Sequence, residues 1–454
     1  MMHRLKLLST TLRASFWFIP YLIVCAFVAL ALFLTRLRVT MADEWLSAFP
    51  VLFSVSAAGA REMLSAIAAS MISVAGLVFS MTLVALALAS TQYSSRVLRT
   101  FMRSRLTQVS IGVFAGLYTY CLIVLRAVKG EGDDLVLPLS AVSLALLFAI
   151  GAVALLIFFI HHIALSIQAS TILASVARET IATIEETFPH RSSTTDVLAC
   201  EPGHTAVVKW GPSVLASESG YLQSIDEAAL LEIACKHDTV IRMERGVGQF
   251  VIQGTALMTL VHGSDDSQNL SDELRKLVKI SVYRTIEQDP SFGVRQIVDV
   301  ALKALSPGIN DTTTAVMCID YLGAILALLA PKEFPPLGLC AAGRTEGEKV
   351  VKVLTIRPDF GALVCEAFDQ IRRAAGGNVA IIDRMSATIE VIGRLTSAPE
   401  RMRVLTAQLD LLDELSEQTV VSPAESVAVR SRIAALRSTL THRSPAHSDP
   451  KVTE

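Results

Sequence analysis

The chain has 454 residues, 52% of them hydrophobic and 18% charged, with a formal net charge of −2. Its mean hydropathy of +0.51 is too high for an ordinary soluble enzyme and points to a membrane protein. The near balance of 40 basic and 42 acidic residues removes any whole-chain electrostatic case for nucleic-acid binding. The balance hides a split: residues 1–165 hold twelve Arg and Lys against six Asp and Glu, a net of +6, and the remaining 28 basic and 36 acidic residues give −8. The seven cysteines, Cys25, Cys121, Cys200, Cys235, Cys318, Cys340 and Cys365, are widely scattered. That spacing argues against zinc knuckles, thioredoxin chemistry and a disulfide framework.

Four charge-free apolar runs fill the first third: Ala14 to Thr35, Met63 to Ser95, Leu106 to Leu125, and one beginning at Leu135. About 20 helical residues at roughly 1.5 Å each match a hydrocarbon core of about 30 Å, and helices satisfy their own backbone groups there. The first run is longer than a signal peptide and Arg36 and Arg38 follow it without a small-residue cleavage site, so it reads as a retained anchor. Arg4, Lys6 and Arg13 precede the first span, and Arg96, Arg99, Arg103 and Arg105 join the second to the third. The positive-inside rule puts both segments in the cytoplasm, and an even number of spans leaves residues 161–454 there too. The expected location is a bacterial inner membrane, multi-pass, with both termini cytoplasmic.

The second span carries the most information. Ser65, Ala69, Ser73, Gly76, Ser80, Ala87 and Thr91 recur at three- and four-residue steps along one helical stripe, with Leu83 filling the gap. Small side chains let helix backbones approach closely, so the stripe can be a packing surface. It can also line a hydrated path, where hydroxyls and backbone at Gly76 present weak dipoles. The four runs hold no Asp, Glu, Lys or Arg, which argues against a charge-coupled pump. His161 and His162 end the fourth span and, pointing about 100° apart, cannot bind one metal from the same face, so they read as interfacial anchors. The helix is expected to run on to about Phe188, before the break that begins at Pro189.

From Thr205 to His262 the pattern changes to short β-type runs: Thr205 to Trp210, Gly220 to Ile225, Thr239 to Arg245 and Gln249 to Val261, predicting a small twisted sheet or half-barrel. Gly246-x-Gly248 lacks the third glycine of a dinucleotide fingerprint. Ser224 and Glu227 read as a capping-box pair ahead of a helix over Ala228 to Lys236.

The densest signal lies between Asp289 and Ala330. Asp289 can cap a helix whose first turn starts with Pro290; Val294, Ile297, Val298, Ala301, Leu302 and Leu305 form its buried face; Ser306-Pro307-Gly308 stops it. Asn310 or Asp311 caps the next helix. Arg295, Asp299 and Lys303 repeat every four residues on the polar face, and Asp320 sits alone within the apolar stretch Ala315 to Ala330. One reading is an αα-hairpin in which a buried Asp320 pairs with Arg295 or Lys303. The other is a ligand or ion site built from Asp289, Arg295, Asp299, Asn310, Asp311 and Asp320. Sixteen residues with a central Asp are short for a span, so this stretch is not counted as one.

After a Pro/Gly-rich break, Val350 to Ile356 reads as a strand, followed by amphipathic helices at Phe360 to Ala375, Asn378 to Leu395, Pro399 to Gln418 and Pro423 to Leu440. The tail is polar. None of these elements carries a P-loop, an HExxH pair, a GxSxG elbow or an EF-hand loop, and no metal or cofactor is expected.

The residues Ala89-Ser90-Thr91-Gln92-Tyr93-Ser94-Ser95-Arg96 with Leu98-Arg99 and Phe101-Met102-Arg103, then Phe159-Ile160-His161-His162-Ile163-Ala164, and above all the segment from Asp289 to Asp311, resemble a family of bacterial predicted membrane proteins known as domain of unknown function 2254. The family pattern usually has Pro where this chain has Ser95 and Thr312. The resemblance implies four membrane helices and a cytoplasmic domain, and nothing about chemistry.

The fold class expected is therefore a mainly α membrane protein with four transmembrane helices and a cytoplasmic α+β region. The division expected is a transmembrane domain at 1–165, a helical extension and linker at 166–195, a β-rich module at 196–265, a helical hairpin at 266–330, a linker at 331–348, a mostly helical α+β part at 349–442 and a disordered tail at 443–454. Two functions compete. One is a homo-oligomeric channel or transport protein for small ions or solutes, with the second helices around an axis, the arginine cluster at the inner mouth and a cytoplasmic vestibule. The alternative is a membrane-anchored sensor or scaffold whose C-terminal helices bind a cytoplasmic partner. An enzyme would need a nucleophile and base pair, and none is identifiable.

Overall fold

A computed structural model of the chain describes residues 17–36, 56–92, 105–128, 139–166, 168–188, 198–200, 210–261, 267–342 and 349–442. The chain divides into two compact units, Met1–Ile172 and Leu173–Glu454.

Among its described residues the first unit holds four long apolar helices: α1 (Phe18–Arg36), α2 (Ala57–Gln92), α3 (Arg105–Ala127) and α4 (Leu139–Ser166). Helix α3 packs against the other three, and half of its span is buried against 11–17% for theirs. Two glycines explain its central place. A Cβ added at Gly112 would lie 3.0 Å from Pro20 and Ile23 of α1, and one at Gly116 would lie 2.5 Å from the ring of Phe27. The close-approach pair, four residues apart on one helical face, is thus on α3. Just beyond it Phe27, Tyr120 and Phe148 form an edge-to-face cluster with centroids 5.2 to 6.3 Å apart, the geometry ring quadrupoles favour. The Tyr120 hydroxyl donates to the Ala141 carbonyl at 2.8 Å, which satisfies the polar end of this buried ring.

The continuous helix expected up to Phe188 is two helices, α4 and α5 (Ala169–Thr187). From Leu173 the second unit begins. Its strands are β1 (Leu198–Cys200), β2 (Trp210–Leu215), β3 (Gly220–Ile225), β4 (Val240–Met243), β5 (Phe250–Val251), β6 (Ala256–Val261), β7 (Val278–Ser281), β8 (Gly338–Ala342) and β9 (Lys349–Leu354), with α6 (Glu227–Lys236) and α7 (Ser267–Arg275) between them. They form two sheets rather than one, a six-stranded sheet in the order β1-β8-β9-β4-β6-β2 and a three-stranded sheet in the order β5-β3-β7. The run Gln249 to Val261 is broken into β5 and β6 at a turn where Gly254 takes φ +80°. The stretch 331–348, read as a linker, carries β8, and β9 pairs parallel with β4, so strands from both sides of the helical hairpin share one sheet. The capping box is also replaced: Ser224 lies in β3 opposite Lys279, and Asp226 caps α6 by accepting from the Ala229 amide at 3.1 Å.

The helices follow the sequence closely: α8 (Pro290–Ala304), α9 (Thr312–Leu329), α10 (Phe360–Ala374), α11 (Val379–Arg394), α12 (Pro399–Thr419) and α13 (Pro423–His442). Among the described residues five helices are long and apolar enough to cross a membrane, the four of the first unit and α9. Helix α9 nonetheless has its own protein cover: Ala315, Cys318, Ile319, Leu322 and Ile325 are buried, and α8 and α11 pack on it. A Cβ at Gly323 would lie 2.5 Å from the Thr388 methyl of α11, so the two helices meet closely there. The cysteine expectation needs correction, because Cys340 is disulfide-bonded.

Candidate functional site

Two candidate sites come from the sequence, one in each unit. On α2, Ser65, Ala69, Ser73, Gly76, Ser80 and Ala87 are all exposed. The helix buries Ala60, Leu64, Ile67, Ala68, Met71, Val78 and Ala85 instead. At about 100° per residue these two sets lie on opposite sides of the helix. The stripe therefore lies away from the face of α2 that packs against the other described helices. A Cβ at Gly76 would meet nothing within 4 Å, in contrast to Gly112 and Gly116. The Ser73 hydroxyl donates to the Ala69 carbonyl at 2.9 Å. Thr91 lies on the same helix one turn further on. Of the basic cluster, Arg105 is exposed at the start of α3, and Arg96, Arg99 and Arg103 lie outside the described residues.

Apart from Asp320, the polar residues around α8 and α9 separate into three arrangements rather than one. Asp289 is the N-cap of α8 and is almost fully buried; its Oδ1 accepts from the Phe292 amide at 3.1 Å, and its Oδ2 accepts from Arg284 Nε at 3.0 Å and Nη2 at 2.8 Å. Burial pushes its carboxyl above the ordinary range, opposed by the Arg284 guanidinium and the helix-cap bond. Arg284 also lies 5.0 Å over the Phe292 ring. The second arrangement centres on Arg295, whose Nε donates to Asp299 at 2.9 Å while Nη1 and Nη2 reach Glu366 at 3.3 Å and Gln370 at 3.1 Å on α10. Every nitrogen of that guanidinium is engaged, so the group joins α8 to α10. In the third, Asp311 caps α9, accepting from the Thr314 amide at 3.0 Å and its hydroxyl at 2.6 Å. These bonds, led by the hydroxyl, hold its carboxyl below the usual range. Asn310 supplies the left-handed turn before it, with φ +50°.

Asp320 does not pair with Arg295 or Lys303. It is 37% exposed by side chain and bonds to Arg384 of α11, itself 48% exposed. Helical periodicity explains the difference: the buried positions of α9 include 315, 318, 319, 322 and 325, and 320 falls on the side that α11 only partly covers. Beside this pair α9, α11 and α13 enclose a groove of about 610 Å³, with Val316, Ala380, Ala387, Ile433 and Leu436 along it and the Asp383–Arg432 ion pair, 2.8 Å, at its rim. Among the described residues no group of three His, Cys, Asp or Glu side chains is placed to hold a metal ion.

A family model described as "Predicted membrane protein (DUF2254)" matches residues 13–390. The chain belongs to this family. Uncharacterized proteins of Mycobacterium bovis and Mycobacterium tuberculosis are each 30% identical to it over 446 residues, covering 96% of this chain and 78% of theirs. No solved structure matches. The DUF2254 match takes in the α2 stripe and all three polar arrangements, and stops within α11, before α12 and α13. Thr312, at the position where the resemblance leads one to expect Pro, is the first residue of α9, a place that suits Pro because no helical N–H bond is lost there. Its hydroxyl accepts from Asn378 Nδ2 at 2.8 Å, a bond proline could not make. The partners that sequence reasoning missed are Arg284, Glu366, Gln370 and Arg384. Arg284 lies five residues from Asp289 across a turn, and the other three are distant in the chain, so no local spacing announces them.

Proposed function

We propose that the protein is a homo-oligomeric channel or transport protein of the bacterial inner membrane, with the α2 stripes of several copies turned toward a shared axis. The observation that carries this reading is the exposure of Ser65, Ala69, Ser73, Gly76 and Ser80 on the side of α2 opposite its buried face. Lipid-facing helix surfaces are served by large apolar side chains, which α2 supplies at Ile72, Leu77, Phe79, Val84 and Leu88. A run of small and hydroxylated positions from Ser65 to Ser80, interrupted beyond it by the exposed Leu83, instead suits close approach of another helix or contact with water. Helices α1 to α4 are the four spans of this reading, and α9 belongs to the core of the cytoplasmic unit. Arg96, Arg99, Arg103 and Arg105, repeated around a ring, would set a positive potential at the inner mouth and favour small anions over cations.

The test is flux through reconstituted protein. In liposomes, folded oligomers should pass small solutes, and Ser80→Cys should react with a water-soluble thiol reagent that then blocks flux, because thiolate formation needs water. Replacing Arg96 and Arg99 by Gln should reduce anion preference. An unreactive cysteine at position 80, together with no flux, would overturn the proposal. A membrane-anchored sensor or scaffold would then lead, a reading supported by the groove between α9, α11 and α13, whose volume falls within the usual range of ligand sites.

A further inference from the structure

The three-stranded sheet β5-β3-β7 has two unlike faces. One packs into the core of the second unit through Leu222, Ile225 and Val251. Antiparallel sheets with one buried face normally present polar side chains on the other. Here the outer registers set two aromatic rings among polar side chains. Phe250 pairs across the sheet with Tyr221, their rings edge to face at 5.1 Å, and Ser281 lies on the far side of Tyr221. Just past the ends of β5 and β7 come Ile252 and then Val282 and Tyr283, exposed in the turns that follow the two strands. Phe250 is 51% exposed, Ile252 58% and Tyr283 54%. Single exposed apolar residues need no explanation, but neighbouring aromatics across adjacent strands form a patch, and such patches mark contact with a partner or a membrane.

The chemistry of the rest of the face selects the partner. Its other positions are the hydroxyls of Ser219, Ser224 and Ser281, and the charged side chain among the described residues of these registers is Lys279, exposed opposite Ser224. Lys276, also exposed, adds a second cation in the turn before β7. Tyrosine and phenylalanine rings beside lysines and hydroxyls are the composition of a membrane–water interface, where rings sit at headgroup depth and ammonium groups meet lipid phosphates. The chain itself supplies the bilayer, since α1 to α4 are covalently joined to this unit. We infer that the outer face of the β5-β3-β7 sheet rests on an anionic lipid surface, with Phe250, Ile252 and Tyr283 at headgroup depth and Lys279 against phosphate.

The inference is independent of whether the protein conducts. It is tested with the full chain in nanodiscs of phosphatidylcholine and phosphatidylglycerol, carrying Phe250→p-benzoylphenylalanine, with Val427→p-benzoylphenylalanine on the exposed surface of α13 as the control. Illumination should give a lipid adduct, seen by mass spectrometry, at position 250 and not at 427. Lys279→Gln should lower the adduct yield about fivefold in discs containing phosphatidylglycerol. An unchanged thermal transition shows that each variant is folded. A covalent pair of protomers would instead assign the face to a second copy, and the absence of any adduct would assign it to solvent; either result overturns the inference. Yields indifferent to both lipid charge and Lys279→Gln would overturn the assignment to an anionic surface.

Discussion

Gly248 lies directly against Asp289: a Cβ at Gly248, whose φ is +86°, would come within 2.1 Å of Oδ2 and 2.9 Å of Arg284 Nη2. The glycine is therefore what allows a loop to close over the buried Asp289–Arg284 pair. Gly248→Ala should destabilise the second unit by at least about 2 kcal/mol, since left-handed strain costs about 1 kcal/mol and overpacking about 1–3 kcal/mol more. Chemical unfolding of the solubilised protein checks the value. Combined with Asp289→Ala, which removes the clashing carboxylate, the loss should be less than the sum of the two single losses. Strict additivity would show that the contact is not the cause.

Asp311 gives a pH dependence of defined sign. Its folded carboxyl titrates below the unfolded value of about 3.9, so its contribution is fully present above that pH and is lost as pH falls through the folded value. Asp311→Ala should cost about 1 kcal/mol near neutrality, the usual worth of an N-cap. The gap between wild type and variant should close in acid. A gap that does not narrow at all as the pH is lowered below the ordinary carboxylate range would mean that the carboxylate is not what caps α9.

The Asp320–Arg384 pair should be nearly dispensable. Exposed ion pairs contribute about 0–1 kcal/mol, so Asp320→Ala should shift the unfolding midpoint only slightly. A buried, unpaired arginine would instead cost about 3–5 kcal/mol, and a loss of that size would contradict the exposed geometry.

In the membrane unit two glycines should behave oppositely. Gly116→Ala forces α3 away from Phe27 and should lower the thermal stability of the unit, whereas Gly76→Ala meets open space within the protomer. If the α2 stripe packs against or opens onto other copies, Gly76→Ala should alter oligomer size or flux while leaving protomer stability unchanged. Equal thermal effects of the two variants would argue against the opposite roles assigned to the two helices.

The disulfide at Cys340 makes topology measurable. Such bonds persist in oxidising compartments and are rare in the cytoplasm. If residues 173–454 are cytoplasmic, acid-quenched cells should yield Cys340 as a free thiol that pairs only after oxidation. Recovery of the bonded form directly from cells, with labelling of the C-terminal unit from outside, would invert the proposed orientation.

What the chain reveals of itself depends on how local the cause is. Asp289-Pro290 and Asp311 announced their helix starts because capping involves residues three apart. The α2 stripe was visible because helical periodicity is a property of one segment; that it faces away from its own bundle was not, because that depends on where Gly112 and Gly116 draw α1 toward α3. Strand β8 was hidden in a Pro/Gly-rich stretch, and its partners β1 and β9 come from opposite sides of the hairpin. The sign of Asp320's environment was misread for a similar reason: an Asp within an apolar run looks buried until the helix that flanks it, α11, is known to carry Arg384.

Helix α2 has 36 residues, and at roughly 1.5 Å per residue it is about 54 Å long, against a hydrocarbon core of about 30 Å. Even a strong tilt cannot submerge it, so several turns must stand in headgroups or water. Any seam between copies along the small-residue stripe would then extend past the oily layer and be part wet, part dry. Thinning or thickening the bilayer would slide the boundary along that seam, exposing or covering particular serines. Acyl-chain length would in that case act on the assembly as a tuning variable in its own right, through the cost of hydrophobic mismatch.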